Sequence, residues 1–147
     1  MEINLTKDQF RILIKLLYLG EWVANGHRFL DENLKEYEEV EQHILNIAKK
    51  KGFSELAESV EDLKGVFPTQ ELEEEMHVLI DEHEEAMFWD KLPDWMGERD
   101  LHREFSPEAL KAMGLDEYFT RLSRIVETYE HEFEEHGLER LEIRKNH

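Results

Sequence analysis

Apolar residues recur every three or four positions along four long segments of this chain, and that period restricts it to an all-α architecture. In the first segment Phe10, Leu13, Ile14, Leu17 and Ala24 form one apolar face, while Ile12, Leu16, Leu19 and Val23 form a second on the opposite side. Leu34, Tyr37, Val40, Ile44, Leu45 and Ala48 mark the second segment. Leu72, Met76, Leu79, Ile80, Ala86 and Met87 mark the third, and Tyr118, Leu122, Ile125, Val126, Tyr129 and Phe133 the last. A bundle of four long helices with about three short ones is predicted, in a single domain of 147 residues.

The boundaries follow from capping chemistry. Thr6-Lys-Asp-Gln9 is a capping box, so the first helix is expected from Lys7 to about Ala24, ending at Asn25-Gly26. The second should start near Asp31 or Asn33 and end at Lys51-Gly52. Ser54 resembles the cap of a short helix from Glu55 to about Leu63, and Thr69 caps the third long helix, with Leu72 where a capping box would need an acid or amide. Pro93 predicts a break or kink before a separate short helix from Asp94 to about Glu104. Ser106-Pro107 opens a brief helix stopping at Gly114, and Asp116 is the expected cap of the last one, Glu117 to His136. A minimal strand pair between Met1–Leu5 and Leu141–Ile143 completes the expectation.

Charge excludes several functions. The chain carries 36 acids against 18 bases, and from residue 69 to residue 90 there are nine acids and no Lys or Arg. Such a field repels nucleic-acid phosphates and anionic lipid, so neither is an expected direct partner. The Lys49-Lys50-Lys51 triplet fits the negative end of a helix. Cysteine is absent, which removes disulfides and thiolate chemistry, and no stretch approaches a membrane span. A cytoplasmic location is the simplest expectation. Neither a Gly-rich phosphate loop nor a Gly-x-Ser-x-Gly elbow is present.

Five polar residues fall on apolar stripes: Glu21, Glu41, His83, Asp90 and Tyr129. Buried carboxylates are costly unless paired or bound to metal. Glu21, Glu41 and His83 are therefore candidate ligands of a divalent ion, or an acid–base set, in the bundle core. The competing readings are a hydrogen-bonded core network and placement at the core's edge. Glu74-Glu-Met-His77, the one Glu-x-x-His match, lies off the stripe, which argues against a di-iron bundle; His77, Asp81 and Glu84 read as a solvated face. Tyr18 and Trp22 form the candidate exposed aromatic patch for a partner, with core burial as the alternative.

Phe88-Trp-Asp-Lys-Leu92, Glu98-Arg-Asp-Leu101 and Gly137-Leu-Glu-Arg-Leu141 resemble segments of small acidic bacterial proteins of unassigned activity. That resemblance implies a small helical protein and lends no catalytic residues.

The leading functional expectation is a non-enzymatic acidic interaction or regulatory protein without a cofactor. The doubly apolar first helix must either sit at the centre of its own fold or meet a second copy, making a homodimer. The alternatives are a metal-dependent or acid–base enzyme at Glu21, Glu41 and His83, and an acidic mimic of nucleic acid using the Glu-rich stretches 71–85 and 127–135.

Overall fold

The computed structural model describes residues 2–62 and 64–142. Five helices and one hairpin lie among them: α1 (Lys7–Asn25), α2 (Lys35–Lys50), β1 (Ala57–Val60), β2 (Gly65–Pro68), α3 (Gln70–Glu104), α4 (Pro107–Ala112) and α5 (Leu115–His136). The chain divides into two compact units, one up to Glu82 and one from His83, so α3 supplies a part of each.

The first unit is built on α1, α2, the hairpin and the start of α3. Thr6 closes its capping box as expected: its hydroxyl accepts from the Gln9 N–H at 3.2 Å, and the Gln9 side chain accepts from the Thr6 N–H at 2.9 Å. α1 ends at Gly26, but that glycine is right-handed, with φ −58°. A Cβ there would lie 2.6 Å from the Trp22 carbonyl oxygen, so space requires the glycine and backbone handedness does not. α2 starts at Lys35, later than Asp31 or Asn33 would place it. Its Leu34 N-cap has no side-chain oxygen, and buried Asn25 takes over instead, accepting from the Leu34 N–H at 2.8 Å. At the other end Gly52, φ +84°, permits a Schellman stop in which Phe53 N–H reaches the Ala48 carbonyl at 3.0 Å.

Within the segment expected as a short helix from Glu55 to about Leu63, residues 57–60 are instead one strand of an antiparallel hairpin, with Ala57 opposite Pro68 and Val60 opposite Gly65, and Leu63 lies outside the described residues. Ser54, read as a cap, suggested the helix. Pairing with Gly65–Pro68 wins because it buries Ala57 and Val66 in the core that holds Leu45 and Ala48 of α2, with Gln42 donating to the Val66 carbonyl at 2.9 Å. Thr69 caps α3, accepting from the Leu72 N–H at 3.3 Å. Ile14, Leu72 and Met76 complete this core, and the Phe10 and Phe53 rings meet at 5.1 Å between centroids.

In the second unit α3 runs without interruption through Pro93, where a break or kink was expected, so no separate helix begins at Asp94. A helix-interior proline costs about 3 kcal/mol through its missing N–H and its clash with the preceding turn. Burial offsets it: Pro93, Gly97 and Leu101 form a row at four-residue spacing, and all three are buried. At Gly97 a Cβ would stand 2.6 Å from Val126 Cγ2, so the missing side chain is what lets α5 come this close to α3. Ser106 caps α4 by accepting from the Ala109 N–H at 3.2 Å, with Pro107 in its first turn. α5 starts at Leu115 with Gly114 as its N-cap, so Asp116 falls inside the first turn, where its charge favours the helix start.

Residues 2–6 and 141–142 form no strand, so the expected terminal strand pair is not found there; its Met1 and Ile143 lie outside the described residues. No helix among the described residues is long and apolar enough to cross a membrane.

Candidate functional site

Of the five polar residues placed on apolar stripes, Glu21 and Glu41 come together. Both are half-buried, Glu21 on α1 and Glu41 on α2. Burial is the main cause that lifts the Glu41 carboxyl from its ordinary 4.5 to about 7, and the negative charges of Glu21, Glu38 and Glu73 add to it. The Tyr18 phenol is raised too, first by burial and then by Glu73, Glu41 and Glu21. Its oxygen lies 3.5 Å from His77 Nε2. Glu21 itself accepts from the Asn25 side chain at 2.8 Å, which ties the carboxylate to the amide that caps α2.

Two members of this cluster, Glu38 and Glu73, escaped the sequence reading, and a third, His77, was assigned to a solvated face. A signal did exist. Each helix contributes a pair one turn apart, Tyr18 with Glu21, Glu38 with Glu41 and Glu73 with His77, so that each pair shares a side of its helix. Nothing local says that those three sides meet.

His83 and Asp90 are exposed, contrary to the expected inward placement. Residues 81–86 are exposed all round α3, including Ala86, and so is Leu79 before them. A helical wheel fixes the direction in which a side chain points and says nothing about whether another element covers it. His83 also falls in the second unit, whereas Glu21 and Glu41 belong to the first. Among the described residues no group of three or more His, Asp or Glu could hold a metal ion.

Tyr129, half-buried on α5, has a separate set of partners. Its hydroxyl donates to Asp100 Oδ2 and accepts from Arg99 at 3.0 Å. Arg99 also binds Asp100 Oδ1 at 2.8 Å, and Arg103 reaches that Oδ1 at 3.3 Å. The Arg99 hydrogen bond is the largest cause holding the Asp100 carboxyl below its ordinary range, and burial followed by the bond to Asp100 raises the Tyr129 phenol. Both guanidinium groups share the one Asp100 carboxylate, so this cluster of α3 and α5 keeps one positive charge over.

The aromatic pair proposed as an exposed patch is not one. Tyr18 packs on the core and Trp22 is half-buried, with its indole beside Gly26. The exposed face of α1 is the opposite one. Ile12 is 54% exposed, Leu16 60% and Val23 64%, so three of the four residues of the second apolar face of α1 are left open, while Leu19 packs against the core. Ile3 and Leu5 extend this greasy strip past the helix start.

Comparison of the chain with protein-family models, characterised proteins and solved structures finds no match. The resemblance to small acidic bacterial proteins therefore stands as an expectation from its three motifs. All nine acids between residues 69 and 90 are exposed, with Glu75 paired to Lys15.

Proposed function

We propose that this chain is a non-enzymatic acidic interaction protein that self-associates through the outer face of α1. The observation that carries the reading is the open strip of Ile12, Leu16 and Val23, with Leu19 between them half-buried against the core. These positions are spaced four, three and four apart, the seam of a two-helix coiled coil. Gly20 beside them is exposed with no atom within 4 Å of where its Cβ would stand, so a facing helix could approach closely there.

Charge selects a second copy as the occupant. Residues 1–27 carry three acids and three bases, so the whole surplus of negative charge lies further along the chain. Two strongly acidic molecules meet with least repulsion where each is neutral. An isologous pairing sets each seam against its own copy, matching Leu and Ile with Leu and Ile. The exposed acids of α3 then serve as a surface for a basic protein partner and keep the assembly away from nucleic acid and anionic membranes.

Sedimentation velocity over a concentration series tests this. A reversible monomer–dimer equilibrium is expected, abolished by Leu16→Glu while the helical circular dichroism is retained. A strictly monomeric wild-type chain at the highest soluble concentration would remove the proposal.

A further inference from the structure

The same unit holds a second apolar feature with different chemistry. A cleft of about 760 Å³ opens between the N-terminal segment, the start of α1 and the end of α2. Phe10, Leu13, Ile44, Ile47 and Phe53 give it apolar walls. Lys7, His43 and Lys51 supply its ionisable side chains, and no acid lines it. In a chain where 36 of 147 residues are acidic, twelve lining residues without one acid are a marked departure from the rest of the surface. Among the described residues neither Lys7 nor Lys51 pairs with a carboxylate.

We infer that this cleft binds a small anionic amphiphile, a carboxylate carrying an aliphatic chain, with the chain against Phe10, Ile44, Ile47 and Phe53 and the carboxylate between Lys7 and Lys51. The volume lies within the usual span for small-molecule sites, which are mostly apolar with a few polar groups that fix orientation. Lysine suits such a rim because its stem packs on apolar surface while the ammonium stays at the edge. The ligand is a free molecule and not a bilayer, because the large negative charge of the chain repels an anionic membrane as a whole while leaving one carboxylate to be held locally. The inference does not depend on the dimer.

Calorimetric titration with octanoate, octanol and octylammonium tests it, carried out on both the wild-type chain and Leu16→Ala so that self-association is separated from ligand binding. Saturable one-to-one binding of octanoate is expected in both proteins, about tenfold tighter than octanol, with octylammonium weakest. The double variant Lys7→Gln/Lys51→Gln should lower octanoate to the level of octanol and leave octanol unchanged. Both lysines are exposed, so this variant should fold, and its circular dichroism checks that. Equal affinity for octanoate and octanol, no saturable heat with octanoate, or octanoate binding unaffected by the two substitutions would each overturn the inference. So would tight association with phosphatidylglycerol vesicles in place of octanoate.

Discussion

Replacing Leu16 by alanine separates the stability of the folded chain from its association. Leucine loses three carbons in this change, and each buried carbon is worth about 0.8 kcal/mol. Since Leu16 is 60% exposed in the single chain, only that fraction of its burial remains for a partner to gain. The expected loss is about 1.4 kcal/mol for each copy. Two-fold symmetry counts it twice, so the dimer weakens by about 3 kcal/mol, or about a hundredfold in Kd. The part of Leu16 already covered is worth about 1 kcal/mol to folding, and alanine's higher helix propensity offsets some of that. Sedimentation equilibrium reads the first quantity, and urea unfolding of dilute protein reads the second. A Kd within about threefold of wild type, or a variant destabilised by more than about 2 kcal/mol as a monomer, would refute the assignment of this face to a second copy.

Glu41 makes stability depend on pH. Its folded value of about 7 exceeds the ordinary 4.5, so the folded state keeps a proton that the unfolded chain gives up, and stability should fall as pH rises from about 4.5 to about 7. For a fully enclosed carboxyl that gap corresponds to about 3 kcal/mol; Glu41 is only half-buried, and solvent screening reduces the expected loss to about 1–2 kcal/mol. Glu41→Gln should recover that amount at pH 8 and flatten the denaturation profile; a variant as pH-sensitive as wild type would point to another group. Gly97→Ala should cost about 1–3 kcal/mol by driving a methyl into Val126, and Val126→Ala should restore most of it, both read as shifts in the urea midpoint. Asn25→Ala should cost about 1–3 kcal/mol by leaving the Leu34 N–H without its acceptor, and an unchanged melting temperature would show that water substitutes for the amide.

Much of the helical framework was legible because its signals act within one turn. Thr6 with Gln9 set the start of α1, Ser106 with Pro107 set the start of α4, and Gly52 and Gly137 ended α2 and α5, each through chemistry among neighbours in the chain. Glu21 and Glu41 were found by the same local reading, since both interrupt apolar stripes. The sequence by itself also determined the charge distribution, with a neutral first segment and a strongly acidic remainder.

Only tertiary structure decided the rest. Whether residues 57–60 coil or extend depends on Gly65–Pro68 and on the apolar surface of α2, and that choice went against the local cap signal of Ser54. Continuity through Pro93 goes with the burial of Pro93, Gly97 and Leu101, and at Gly97 the neighbour is Val126, from a distant part of the chain. The coupling of Glu41 to Glu21 and Glu73 likewise requires three helices to meet, while exposure of His83 reflects a turn of α3 with nothing over it. Caps and periodicity are short-range properties of a chain. Desolvation and Coulomb coupling depend on which distant segments share the same few ångströms, and folding alone sets that.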